Sequence, residues 1–351
     1  MNLYKLLCRP LLFLLSPESS HRVAILALRI SGMPLISPII SSAYLKRDEK
    51  LHVKTLGLNF SNPVGLAAGF DKNGVAIAGA RSLGFGYIEI GTVTPLPQPG
   101  NPGKRLFRLK PVLALQNRLG FPNVGAKAVK SNLKEFKRNG FVIGISIGKG
   151  AATPLDKAAA DYISCLDELY GDADYFAVNV SSPNTSGLRD LQHKAYLSSL
   201  CKTLVSRSAE LAKANSVAAK PLLIKISPDL TYGEIDDVME VAMATGIAGI
   251  IAVNTTTVNV ESFGATAGMG GVSGKPLSNR STEVVRYISQ KTGKRLTVIA
   301  AGGIFSPDDA LEKLEAGADL LQIYTGLVYE GPSLPSKINR GLLKSGRLRT
   351  S

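Results

Sequence analysis

The chain is predicted to fold as an α/β protein, a (β/α)8 barrel preceded by an N-terminal helical extension. Three observations predict it. From about residue 51 onward, short runs rich in β-branched and aliphatic residues recur eight times and alternate with longer helical patterns, the order that builds a parallel barrel. The runs are nearly continuous in apolar character, as strands buried on both faces require. Polar and glycine-rich residues gather after the ends of these runs, which in a barrel share one rim. The rival is a doubly wound sheet, weakened by the lack of a GxGxxG turn after the first strand.

The predicted strands are Val64–Ala68, Tyr87–Ile90, Val142–Ile147, Tyr175–Val180, Leu222–Ile226, Ile250–Asn254, Thr297–Ala301 and Leu320–Tyr324. Helical patterns fall between them, for example at Val124–Arg138, Pro154–Tyr170, Leu191–Ala214, Thr231–Ala244 and Pro307–Ala316. The first 50 residues form a separate unit, and residues 51–351 form the barrel domain. In the extension, Leu3, Leu6, Leu7 and Leu11–Leu15 make a short apolar stretch broken by Pro10 and Pro17. It falls short of the roughly 20 apolar residues that span a bilayer and lacks the small-residue cleavage site of a secretory signal. A second segment, His21–Ile30, mixes aliphatic and basic residues. Two such helices joined by a proline turn can lie on a membrane surface or serve as a lid packed on their own domain, and the residues alone leave both open.

Of the 351 residues, 45% are hydrophobic and 19% charged, a globular and not a disordered balance. The formal charge is +14, with much of the basic excess in the two tails (Lys5, Arg9, Arg22, Arg29, Lys46, Arg47, then Arg340, Lys344, Arg347, Arg349). Such a balance suits nucleic acid, an anionic membrane or an acidic small molecule. With no tryptophan and no arginine run interleaved with aromatics, nucleic acid is not expected as a partner. Cys8, Cys165 and Cys201 are scattered, with no CxxC or Cys/His cluster. They point to a reducing compartment, and no metal site is expected.

Chemistry concentrates on the predicted rim. Gly302-Gly303 after the seventh strand and Tyr324-Thr325-Gly326 after the eighth are suited to cradle a phosphate with backbone amides, although glycines also serve plain turns. Lys72 follows the first strand, and Lys225 lies within the fifth. An ammonium in an apolar strand needs an acceptor, either a nearby carboxylate or, pointing to the rim, a bound cofactor. Asn179 to Arg189 (NVSSPNTSGLR) sets two asparagines around paired serines, and Asn254-Thr255 and Asn117 bring further amides. Each loop alone reads as an ordinary turn. Together they suit a planar ring bearing amides and carbonyls.

The segments Ala67–Gly74, GNPGKRLFRL (Gly100–Leu109), NRLGF (Asn117–Phe121), NVSSPNTSGLR, KISPDL (Lys225–Leu230), GVSGKPL (Gly271–Leu277) and Gln322–Gly331 together resemble class 2, quinone-dependent dihydroorotate dehydrogenases, across residues 1 to 340. The resemblance implies FMN as cofactor, dihydroorotate and orotate as substrate and product, and a membrane quinone (ubiquinone or menaquinone) as final acceptor in pyrimidine biosynthesis. It implies that flavin is held by Ala68, Gly69, Lys72, Thr92, Ser146, Asn179, Lys225, Val253, Gly274, Gly303, Tyr324 and Thr325. Substrate would be held by Lys72, Asn117, Arg118, Leu119, Gly120, Phe121, Asn179, Asn184, Asn254 and Thr255. Ser182 matches the catalytic base, where class 1 relatives carry a cysteine, and Thr185 is a candidate to share its proton path. His21 and Arg108 would line the quinone approach. Two positions depart from the pattern: Ser146 stands where the family has an asparagine, and Val253 where it has a hydroxyl. The apolar, basic extension and the +14 charge lead to the expectation of a peripheral protein on an anionic membrane surface; with no transit peptide and following anchor visible, the cytoplasmic face of the cell membrane is expected, and a monomer.

Two other readings stay open. A flavin barrel of the dihydrouridine synthase type would fit the charge, but those enzymes use a cysteine acid that this rim lacks, and need an RNA-binding extension. A membrane-bound paralogue with a decayed cofactor site would rest on Ser146 and Val253 alone.

Overall fold

The structure, a computed structural model, describes residues 3–136, 138–266 and 268–346. Arg347 and Arg349, counted above in the basic tail, lie outside them. Eight parallel strands close into a barrel in sequential order: Val64–Leu66, Tyr87–Val93, Val142–Ile147, Tyr175–Asn179, Leu222–Lys225, Gly249–Ala252, Thr297–Ala301 and Leu320–Ile323. Closure comes from pairing of the last strand with the first, Gln322 opposite Gly65. Third and seventh strands match their predicted bounds. Most others stop one or two residues short, because their last residues turn out of the sheet to form the rim.

Glycine and tyrosine pack the interior reciprocally. A Cβ on Gly65 would overlap the Tyr87 ring, and one on Gly144 would overlap the Tyr175 ring, so these two glycines make room for two fully buried phenols. The hairpin Val53–Thr55 and Leu58–Phe60 plugs the opposite mouth, with Phe60 edge-on to Tyr87 at 5.2 Å.

The outer helices include Ala126–Lys134, Ala158–Leu169, Lys194–Ala214, Tyr232–Thr245, Ser278–Thr292 and Pro307–Glu315. Thr231 and Glu234 form a reciprocal cap at the start of Tyr232–Thr245, worth about 1 kcal/mol. Cys165 and Cys201 are buried and free. Burial pushes both thiols up, Cys201 to about 12, so they serve as small apolar side chains.

Several elements lie outside those the sequence predicts. Helices Ile77–Ser82 and Leu334–Ser345 are among them, and so is Ser278–Thr292, which buries Ser281, Thr282, Ser289 and Thr292 beside Val284, Val285 and Ile288 and so shows few apolar residues even on its inner face. A three-stranded antiparallel sheet, Leu106–Leu109, Ala114–Asn117 and Gly271–Gly274, stands over the rim. Its strands come from two insertions more than 150 residues apart, a pairing no local pattern reveals.

In the extension a π-helical turn, Tyr4–Cys8, leads into the helix Arg9–Leu14, followed by helices Pro17–Ser31 and Ser37–Tyr44. The first two match the expected pair, and the third is additional. The extension packs on the barrel and also exposes apolar side chains. Gly79 lies so close to helix Pro17–Ser31 that a Cβ there would overlap the Leu28 carbonyl. Leu3, Leu11, Leu14, Leu26, Leu35 and Ile39 are all more than half exposed. No helix among the described residues is long and apolar enough to cross a membrane.

Candidate active site

A cleft on the C-terminal rim encloses roughly 1130 Å³ of empty space, counted with the part open to solvent. It gathers Ala68, Gly69, Lys72, Thr92, Asn179, Lys225, Val253, Gly274, Gly303, Tyr324 and Thr325 with Asn117, Leu119, Gly120, Phe121, Ser182, Asn184, Asn254 and Thr255. Only Ser146 and Arg118, of the residues named for flavin and substrate, are not on its wall. The Ser146 hydroxyl stands behind Thr92, 2.9 Å from its Oγ1. Arg118 contributes its backbone, donating to the Arg105 carbonyl at 2.8 Å.

The amides are held by a shared network. Asn179 donates to Thr92 Oγ1 at 2.8 Å and accepts from the Ser181 amide and hydroxyl, both at 3.3 Å. Asn184 donates to Asn117 Oδ1 at 2.9 Å, and Asn254 to Ser181 Oγ at 2.9 Å. Ser182 is buried and its Oγ accepts the Asn184 backbone N–H at 3.3 Å. Two polar atoms of this loop, Asn184 Oδ1 and Thr185 Oγ1, are buried without a partner among the described residues. Such atoms cost free energy until a ligand or water satisfies them.

Lys72 is placed by a turn that Asp71 organises. The Asp71 carboxylate accepts the backbone N–H groups of Asn73, Val75 and Ala76 at 3.3, 3.1 and 2.7 Å. Burial pushes the Lys72 ammonium down to about 8. On the floor, Lys225 reaches Glu89 Oε1 at 3.6 Å and Gln322 Oε1 at 3.5 Å. Glu89 is fully buried, and its other oxygen accepts from Tyr175 at 3.0 Å and Gln322 at 2.7 Å. Lys225 therefore has a carboxylate beside it and also faces the cleft.

Sequence reasoning gave no role to Glu89, Gln322 or Arg189. Glu89 was detectable by the signal that exposed Lys225, a charge inside an apolar run (Tyr87-Ile88-Glu89-Ile90). Arg189 binds the Ser181 carbonyl, Asp229 and the Thr255 carbonyl at 3.2, 2.9 and 3.0 Å. It thereby ties three rim loops together.

Beside the cleft a second, mostly apolar cavity of roughly 1640 Å³, again counted with its open part, runs beneath the extension. Leu106, Leu115 and Tyr324 line both cavities. His21 and Arg108 are on its wall. Arg108 donates to the carbonyls of Leu12, Phe13 and Leu15 and to Ser20 Oγ, at 3.2, 3.4, 2.8 and 2.7 Å. Its guanidinium thus fastens the end of helix Arg9–Leu14 to the start of Pro17–Ser31. Among the described residues no group of three or more His, Cys, Asp or Glu could hold a metal ion.

Fold and cleft define a barrel of the enzyme class whose rim carries an amide-lined cleft, here next to an apolar cavity. The family described as "Dihydroorotate dehydrogenase" matches residues 50–345, and the chain belongs to that family. It is 47% identical to the "Dihydroorotate dehydrogenase (quinone)" of Synechococcus sp. (strain JA-3-3Ab), covering 97% of this chain and 93% of that one. It is 46% identical to the protein of the same name from Christiangramia forsetii, covering 98% and 100%. The crystal structure of DHODH in complex with ferulenol from Eimeria tenella superposes with a TM-score of 0.85 at 34% identity, over 95% of this chain and 93% of that one.

Proposed function

We propose that this chain oxidises (S)-dihydroorotate to orotate, with FMN taking the hydride and a membrane quinone taking the electrons last, in pyrimidine biosynthesis. The observation that carries it is the convergence of Asn117, Asn179, Asn184, Asn254 and Ser182 on one cleft that adjoins an apolar channel. The unpartnered Asn184 Oδ1 is an acceptor suited to a ring N–H of the pyrimidine.

The residues fit a flavin phosphate and ring. Gly274 and Gly303 sit at φ +112° and +76°, and a Cβ on either would strike neighbouring backbone, so a phosphate can meet bare amides there. Lys225 supplies a cation on the floor, and Thr92 and Asn179 supply polar side chains. Ser146 acts through Thr92, and Val253 offers only packing. When bound, the flavin supplies the hydride acceptor. Ser182 takes the C5 proton, helped by the Asn184 N–H that stabilises negative charge on its oxygen. The Thr185 hydroxyl is the nearby group suited to pass that proton on. The asparagines fix the ring, and Lys72 pairs with the substrate carboxylate. Below pH about 8 Lys72 is an ammonium, and above it a neutral amine. Orotate affinity of the flavin-loaded enzyme should therefore be level below pH about 8 and fall as pH rises through that value. Calorimetric titration at several pH values checks this.

Residues 1–50 form the extension that docks on the membrane and guides quinone inward. Val23, Leu26 and Ile30, spaced three and four apart, are all at least 40% exposed on helix Pro17–Ser31 beside Arg22 and Arg29, a combination suited to an anionic membrane surface at the cytoplasmic face. Arg108→Leu should raise the KM for a short-chain quinone about tenfold, since several charge-assisted hydrogen bonds are lost. The rate of flavin reduction by dihydroorotate should stay as it was, and stopped-flow spectroscopy separates the two. The function itself is tested by steady-state turnover. The purified protein should reduce a quinone analogue when given dihydroorotate, and absence of dihydroorotate-dependent quinone reduction would refute it.

A further inference from the structure

The extension reaches further into the chemistry than the wall of the apolar channel. The Lys72 ammonium lies 3.2 Å from His21 Nε2. This is its one hydrogen bond among the described residues, because the neighbouring carboxylates are engaged elsewhere. Asp71 is taken up by the amides of its own turn. Glu18 is taken up by Arg105, whose guanidinium approaches to 2.5 Å and 3.3 Å. Resting on the proposed function above, we infer that His21 is a positioning residue for Lys72, and that the extension thereby completes the dihydroorotate site itself.

The geometry supports this in three ways. The ring is fixed: it meets Phe70 edge-on at 5.2 Å, and Phe70 meets Tyr324 at 5.3 Å. The helix that carries it is clamped to the barrel at Glu18–Arg105 and at the close approach of Leu28 to Gly79. The imidazole is also a dependable acceptor. Burial, with the adjacent ammonium second, pushes His21 down to about 3, so it is neutral at every pH where the enzyme would work. An acceptor held this way removes rotamer freedom from a long, flexible side chain before the ligand arrives. Less of the ion-pair energy is then spent on ordering Lys72. The groups facing the pair are Asp71, Glu18 and Arg105, and none of them can replace His21 without giving up its own partner.

The test uses the flavin-loaded full chain without quinone, so the channel's role in quinone access does not enter. The readouts are orotate affinity, from the perturbation of the flavin spectrum, and the anaerobic rate of flavin reduction by dihydroorotate. His21→Phe keeps a ring against Phe70 but offers no acceptor, and should weaken orotate binding about tenfold, the loss of one hydrogen bond to a charged group. His21→Gln offers an acceptor at similar reach and should restore most of that loss. In a Lys72→Met background, His21→Phe should change nothing further. Orotate affinity in His21→Phe equal to the parent's would overturn the inference, leaving His21 as channel wall only. So would rescue by Phe and not by Gln, which would mean packing. Should His21→Phe fold poorly, His21→Leu decides in its place: a tenfold loss that His21→Gln does not show supports the inference, and parent-like affinity overturns it. A parent enzyme that binds no orotate would instead refute the proposed function.

Discussion

Replacing Ser182 by alanine should slow anaerobic flavin reduction by dihydroorotate roughly 10²- to 10⁴-fold, the usual contribution of a positioned general base, with flavin still bound. The hydroxyl is buried on the cleft wall, and its one hydrogen bond among the described residues comes from the Asn184 amide of its own loop. It takes no part in the cradle of Gly274, Gly303 and Thr325. Removing it deletes a proton acceptor and leaves the amide network in place, because that network runs through Ser181. Orotate should bind Ser182→Ala nearly as it binds the parent, so the loss falls on the rate and not on affinity. Rapid-mixing absorbance reports both quantities. Flavin reduction at the parent rate would remove Ser182 as the base. Loss of flavin from the variant would show instead that the serine belongs to the cofactor site.

The second large effect is on stability. Glu89→Leu should destabilise the fold by about 3 kcal/mol, since removing one member of a buried ion pair leaves the other charged and unpaired. Glu89 is fully buried, and three groups converge on it: the Tyr175 hydroxyl, the Gln322 amide and the Lys225 ammonium. Glu89→Gln should cost less, because it keeps an acceptor for Tyr175 and adds an N–H that can meet Gln322. In both variants the loss should be smaller with flavin bound than without, since the cofactor gives Lys225 a second acceptor. Urea unfolding of loaded and flavin-stripped protein measures the difference. Equal midpoints for Glu89→Leu and the parent would mean that the pair contributes nothing to stability.

How much of this was legible in the sequence depended on how local each signal is. The barrel strands were readable because a strand buried on both faces is a continuous apolar run, and the third and seventh were bounded to the residue. Their ends were misjudged where chemistry begins. Val180, Ile226 and Asn254 look like strand but turn away to carry the rim loops. The residues that share the cleft wall were readable through motif and type. Of those named for flavin and substrate, only Ser146 and Arg118 fall off the cleft wall. Ser146 alternates with its strand neighbours in a way that a sequence position cannot convert into depth. Partnerships across the chain were not legible. Nothing near Lys225 names Glu89, 136 positions earlier. Nothing near His21 says that its ring nitrogen will meet Lys72. The antiparallel sheet over the rim was likewise hidden, because Gly271–Gly274 pairs with Ala114–Asn117 only after the barrel has brought them together.

A pyrimidine ring set for hydride loss in the rim cleft should reduce the flavin by itself, which is seen by adding dihydroorotate to the purified protein in the absence of oxygen and of any quinone and recording the visible spectrum. A yellow protein whose flavin bands bleach with one equivalent of substrate, and return when a quinone is added, is the predicted result. A colourless protein that takes up no FMN, or a yellow one whose spectrum dihydroorotate leaves unchanged, would refute the proposed function.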